Sequence, residues 1–171
     1  MRRPSDTEYA PFYAGYVSLV PETDVLGALE AQADELGRLD ASVPPEKERF
    51  RYAEGKWSVR EVVGHLTDAE RVFGYRAFCF SRGEQAAQPS FDENAYVAAA
   101  RSDGVPLRDL VEELVLVRRS NLAFLGRLTE AEWGRVGTAS GKPVSVRALA
   151  FIMVGHPRHH LGILRERYRI G

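Results

Sequence analysis

Four stretches of this chain return apolar residues at intervals of three and four, and no stretch alternates them convincingly at intervals of two. That contrast restricts the fold more than any single motif. The first spacing lines one side of an α-helix, and the second lines one side of a strand. A chain of 171 residues with four such helices can bury their stripes against one another as an all-α bundle, and residues 1–171 are read as a single domain.

The helices carry their own boundary signals. Thr23 or Asp24 caps a first long helix that runs to about Leu39 with Leu26, Leu29, Leu36 and Leu39 inward, and Pro44-Pro45 close the segment. Upstream, Tyr9, Phe12, Tyr13 and Tyr16 form an aromatic arm over residues 1–20 that is expected to pack on the bundle. Ser58-Val-Arg-Glu61 is a capping box opening a second helix through Val62, Leu66, Ala69, Phe73 and Ala77 to about Phe80, ending near Gly83. A short helix is expected over Asp92 to Ala100. After Pro106 a third long helix carries Leu107, Leu110, Leu114, Val117, Asn121, Phe124 and Leu128. Thr129-Glu-Ala-Glu132 caps a short turn around Trp133, Gly137 to Pro143 reads as a loop, and Ser145 caps a last helix to about Tyr168.

The candidate chemistry lies in the histidines. His156 and His160 are one helical turn apart and share an inward stripe with Leu149, Met153 and Ile163, at positions the pattern would otherwise give to Leu or Ile. His65 lies on an apolar face of the second helix with Val62, Ala69 and Val72. Each imidazole therefore points toward the bundle interior, where burial without partners for both ring nitrogens is costly. One shared metal ion satisfies a nitrogen on each, and three imidazoles suit Zn²⁺, Ni²⁺ or Fe²⁺ with coordination positions left open. His159 falls on another face and is not counted as a ligand. Pro157 stands between the two histidines, interrupts the helical hydrogen bonding to Met153, and predicts a kink with Gly155. It also occupies the neighbourhood where a H-E-x-x-H protease needs its glutamate, which excludes that mechanism.

Two carboxylates flank His65 along its helix. Asp68, three residues on, is the candidate catalytic group, as a base or as an acceptor for an imidazole N–H. Glu61 is already engaged by the capping box. Cys79 beside Phe78 and Phe80 reads as an inert core thiol, and Trp57 and Trp133 as staple or core residues at helix starts. Arg165, Arg167 and Arg169 suit the negative end of a helix dipole. No glycine-rich phosphate loop or G-x-S-x-G elbow occurs.

A formal net charge of −1 leaves no electrostatic footprint for nucleic acid, and no segment approaches a membrane span, so the partner expected is a small-molecule substrate. The single cysteine fits a reducing compartment, and no apolar region follows the basic start; a cytoplasmic location is expected.

The order of Trp57-Ser-Val-Arg-Glu-Val-Val-Gly-His65-Leu-Thr-Asp-Ala-Glu70 and, far downstream, Gly155-His156-x-x-x-His160-Leu-Gly-x-Leu resembles the DinB/YfiT-like superfamily over roughly residues 20–168. The tail around Leu161 to Tyr168 is similar as well. The resemblance implies a four-helix bundle with a long crossover and short accessory helices, a divalent metal on residues matching His65, His156 and His160, and a homodimer. It also implies either thiol chemistry, as a thiol S-transferase or a mycothiol-dependent isomerase, or metal-dependent hydrolysis. A low-molecular-weight thiol is then the expected co-substrate. On the residues alone two other readings stay open: a bundle that binds a metal or small molecule without turnover, and histidines that are ordinary core residues.

Overall fold

The structure is a computed structural model that describes residues 2–170. Among these it contains eight α-helices: α1 (Ala14–Ser18), α2 (Val25–Leu36), α3 (Leu39–Ser42), α4 (Val59–Ser81), α5 (Glu93–Ala100), α6 (Leu107–Leu125), α7 (Glu130–Trp133) and α8 (Val146–Tyr168). A two-stranded hairpin, β1 (Val136–Ala139) and β2 (Lys142–Ser145), precedes α8.

Side chains fix where most of these helices begin. The Asp24 carboxylate accepts from the Gly27 amide, Asp92 from Asn94 and Ala95, and the Ser145 hydroxyl from Ala148. At Ser58 and Thr129 the full box forms, with Glu61 and Glu132 each accepting from the amide of its capping residue. Each such cap is worth about 1 kcal/mol, because it gives a partner to an amide the helix leaves free.

Three expected boundaries move. The first long helix stops at Leu36, and Leu39 begins a separate turn. The third stops at Leu125, so Leu128 falls in the turn that follows. The segment Gly137 to Pro143, expected as a loop, is the body of the antiparallel hairpin, with Val136 opposite Ser145 and Ala139 opposite Lys142. Ser140 and Gly141 close it with φ of 52° and 72°, the two left-handed residues that a tight hairpin turn of this hand requires.

The long helices α2, α4, α6 and α8 form a four-helix bundle. Helix α4 packs along both α6 and α8, and α2 packs on the other side of the same two. Helices consecutive in the chain, α2 with α4 and α6 with α8, therefore stand diagonally, which requires the connections to cross the bundle end. No helix among the described residues is long and apolar enough to cross a membrane. In the N-terminal arm Tyr9 and Tyr13 are buried, while Phe12 is 59% exposed.

The core is divided in two. One apolar cluster gathers Leu29, Phe73, Phe80, Leu125, Phe151 and Met153, and the other gathers Leu36, Val63, Leu66, Leu114, Leu161 and Leu164. Between them each helix contributes a buried polar residue: Gln32 from α2, Glu70 from α4, Arg118 and Asn121 from α6, and His156 from α8. The expected inward position Val117 is only half-buried, and Arg118 beside it is fully enclosed.

Candidate metal centre

His65 and His156 approach through their Nε2 atoms, 3.0 Å apart. One ring nitrogen from each of His65, His156 and His160 lies within 4.8 Å of the other two, the one cluster of this kind among the described residues. The ring centroids are 4.6 to 4.9 Å apart. Helices α4 and α8 thus bring together the three histidines that the stripe pattern pointed inward.

Small residues let neighbouring segments close in around the cluster. A Cβ at residue 64 would collide with the Ser102 hydroxyl, and a Cβ at residue 155 would collide with the backbone carbonyl of Tyr16. The glycine directly before His156 therefore lets α1 lie against α8, and Tyr16 sets its ring edge-on to His156 with centroids 5.3 Å apart. On the opposite side Trp57 packs against His65 at 4.7 Å and lies nearly parallel to His160 at 6.4 Å. Trp57 is thus a wall of the histidine cluster rather than a simple staple.

Burial lowers the pKa of His65 from 6.5 to about 4. Burial also lowers His160 to about 3, aided by the charges of His65 and His159. His156 is held well below its ordinary value by burial and by the neighbouring imidazoles, with Arg118 adding to the effect. All three rings are therefore neutral at pH 7 and offer lone pairs, the form a metal ion needs. Two nitrogens 3.0 Å apart match neighbouring ligands of one ion at about 2.0–2.1 Å from each. Three neutral imidazoles at the edge of a cavity fit such an ion. The other nitrogen of His65, Nδ1, is buried and has no hydrogen-bond partner among the described residues.

Behind the cluster lies a buried network that the sequence pattern did not disclose. Arg118 makes a two-pronged pair with Glu70, Nε to Oε1 at 2.8 Å and Nη2 to Oε2 at 2.9 Å. Its Nη1 donates to Gln32 Oε1 and its Nη2 to the Met153 carbonyl, both at 2.8 Å. Asn121 donates to Glu70 Oε1 at 2.9 Å, and Gln32 donates to the Val154 carbonyl at 3.0 Å. Met153 is the residue whose carbonyl loses its helical partner because Pro157 has no N–H. Arg118 replaces that missing donor, and α8 is helical without a break from Val146 to Tyr168.

The other candidates lie elsewhere. Asp68 is half-buried, with its pKa raised by burial and its field set by Arg71 and Glu113. It lines neither cavity that reaches the histidines. Glu61 bonds Ser58 and Arg51. His159 is exposed and sits beside Tyr16 and His160. Cys79 is half-buried on α4 and faces neither cavity. The acid that does face the cluster is Glu93, the first residue of α5, whose charge acts on His65. The cavities hold about 300 Å³ on the Tyr16 side and about 240 Å³ on the Tyr52 side, and they share Trp57 and His160.

Comparison with known proteins follows the same lines. The sequence profile of the DinB superfamily matches residues 28–164. A curated protein of Oceanobacillus iheyensis named "Putative metal-dependent hydrolase" is 24% identical over 142 residues, covering 82% of this chain and 81% of its own length. Among solved structures, YfiT from Bacillus subtilis, described as a probable metal-dependent hydrolase with an unusual four-helix bundle topology, superposes with a TM-score of 0.70. It is 19% identical, with 98% of this chain and 91% of that one covered. A mycothiol-dependent maleylpyruvate isomerase superposes with a TM-score of 0.67 at 14% identity, over 84% of this chain and 60% of that one. A DinB-like protein of Bacillus subtilis, YjoA, gives 0.58 at 21% identity, over 85% of this chain and 89% of its own. These likenesses carry the bundle fold.

Proposed function

The chain belongs to the DinB superfamily, and from its site we propose a metalloenzyme: His65, His156 and His160 hold one divalent ion, beside which a low-molecular-weight thiol is activated for transfer to an electrophile. One observation carries the reading, the convergence of three neutral imidazole nitrogens at the wall of the larger cavity, with His160 also lining the smaller one. An ion there would supply Lewis acidity, lowering the pKa of a thiol or water so that its deprotonated form is present near pH 7. The rest is the work of the chain's own residues. Trp57 and Tyr16 close two sides of the cluster and keep bulk water from it. Arg118 and Gln32 fix the carbonyls of Met153 and Val154, just before His156, and so hold that ring in place.

The mycothiol-dependent neighbour supports the thiol reading. The names of the Oceanobacillus relative and of YfiT favour a second one, with water in place of the thiol and hydrolysis as the outcome. Elemental analysis of untagged protein tests the shared premise: about one ion per chain is expected, and the His65→Ala variant is expected to lose it. A metal-free protein, or an ion retained in the variant, overturns the proposal. Loss of free thiol from mixtures of small thiols with alkyl halides then separates transfer from hydrolysis, and bound metal without any turnover marks a binding module.

A further inference from the structure

The larger cavity beside the histidines has a lining that metal binding does not use. Phe12, Tyr13, Tyr16, Trp57, Phe73 and Phe91 face it, and no lysine or arginine does. The single carboxylate in the lining is Glu93, which forms none of the ion pairs found among the described residues. It is exposed at the rim of the chamber, and its charge acts on both His65 and Tyr16 in the lining. Phe12 keeps 59% of its surface exposed at the mouth, an uncovered ring beside a cavity already rich in rings. The smaller cavity has the opposite character, with Lys56 and no acid in its lining.

Aromatic faces are negative and attract cations, most strongly where water is partly excluded, and a carboxylate beside them adds to the attraction. The nearest guanidinium, Arg76, is buried behind Tyr13 and Ser140 and donates to the Pro89 carbonyl and the Ser140 hydroxyl, so the charge on the chamber's own lining is that of Glu93. We propose that this chamber is a subsite for an organic cation: a substrate with an ammonium group on a short apolar body, its charge held by Glu93 and the surrounding rings. The reacting end of that substrate then lies toward the histidines. The subsite itself needs only the rings and Glu93; the direction of the reacting end rests on the metal reading above.

Three probes of one shape test the idea: 2-phenylethylamine, 2-phenylethanol and 3-phenylpropionate, titrated calorimetrically at pH 7 into metal-free protein. The amine is expected to bind about tenfold more tightly than the alcohol, and the acid most weakly. In Glu93→Gln the amine should fall to within about twofold of the alcohol. In Phe91→Leu it should fall severalfold, with the circular dichroism of both variants unchanged. Metal-loaded protein is compared on the amine-to-alcohol ratio alone, because the acid can ligate an ion directly, and a preference for the amine should persist. Equal binding of amine and alcohol indicates a neutral aromatic ligand and overturns the proposal. So does tighter binding of the acid by metal-free protein, no binding of any probe, or an amine preference that survives Glu93→Gln. None of these outcomes bears on whether the histidines hold metal, which elemental analysis decides separately.

Discussion

Replacing Arg118 by methionine tests how the site is held from behind. Arg118 is completely buried and its partner Glu70 nearly so, with 2% of its side-chain surface exposed. The substitution removes both prongs of the pair, at 2.8 and 2.9 Å, and also the donors to Gln32 and to the Met153 carbonyl. It leaves a carboxylate in the core with Asn121 as its remaining donor. Breaking a buried pair in this way costs about 3–5 kcal/mol. Against a total stability of about 5–15 kcal/mol the variant should still fold, with its thermal midpoint lowered by roughly 6–20 °C. The double variant Arg118→Met with Glu70→Leu removes the stranded charge and should recover most of the stability. It still leaves the Met153 carbonyl unpaired opposite Pro157, at about 1–3 kcal/mol. Metal affinity should not recover with it, because the turn that carries His156 has lost its anchor; a decrease of about 10–100-fold is expected. Urea unfolding of metal-free protein, followed by competitive titration with Co²⁺, measures the two quantities separately. A loss below about 1 kcal/mol in the single variant, or full metal affinity in the double, refutes the argument.

The buried imidazoles predict a pH dependence of known sign. Unfolded histidines take up protons as pH falls through 6.5, whereas folded His65 and His160 resist until about 4 and about 3. Stability present above pH 6.5 is therefore lost as pH falls toward 4, with His65 alone accounting for roughly 3 kcal/mol. Urea midpoints that stay level between pH 7 and 5 contradict this. Gly155→Ala places a methyl group against the Tyr16 carbonyl, so the arm must move away from α8. A loss of about 1–3 kcal/mol and faster chymotryptic cleavage within the arm are expected, and unchanged values of both tell against the close approach.

What could be read from the sequence was local or periodic. The caps at Ser58, Thr129 and Ser145 form as expected because a cap involves residues three apart, and no tertiary partner decides it. The histidines were legible because each interrupts an apolar stripe. Arg118 was not, since a cation in an amphipathic helix ordinarily marks the solvent face; its burial depends on Glu70 in a different helix, and no local pattern records that pairing. Glu93 escaped notice for a similar reason. Spacing along one helix drew attention to Asp68, whereas the acid at the cavity comes from α5, brought over by the fold. The hairpin was hidden by its composition, with Gly137 and Pro143 both poor strand residues. Its legible signal was the Ser140-Gly141 pair, two residues of the kind that close tight turns.

Pro157 and Arg118 are best understood as one arrangement. A proline within a helix costs about 3 kcal/mol or more, through its missing N–H and its clash with the carbonyl four residues back. Here that carbonyl, on Met153, accepts from Arg118, and the next, on Val154, accepts from Gln32. Arg118 in turn can be buried only because Glu70 neutralises it, and Glu70 stands on the helix that carries His65. The two helices that supply the histidines are therefore tied to one guanidinium, α4 through a carboxylate and α8 through a backbone oxygen. Any rotation of one helix against the other must stretch charge-assisted hydrogen bonds of 2.8–2.9 Å in a dry interior, where they are strong. The 3.0 Å approach of His65 to His156 is thus imposed by the polar layer that divides the core. Trp57 and Tyr16 then decide what reaches it from outside.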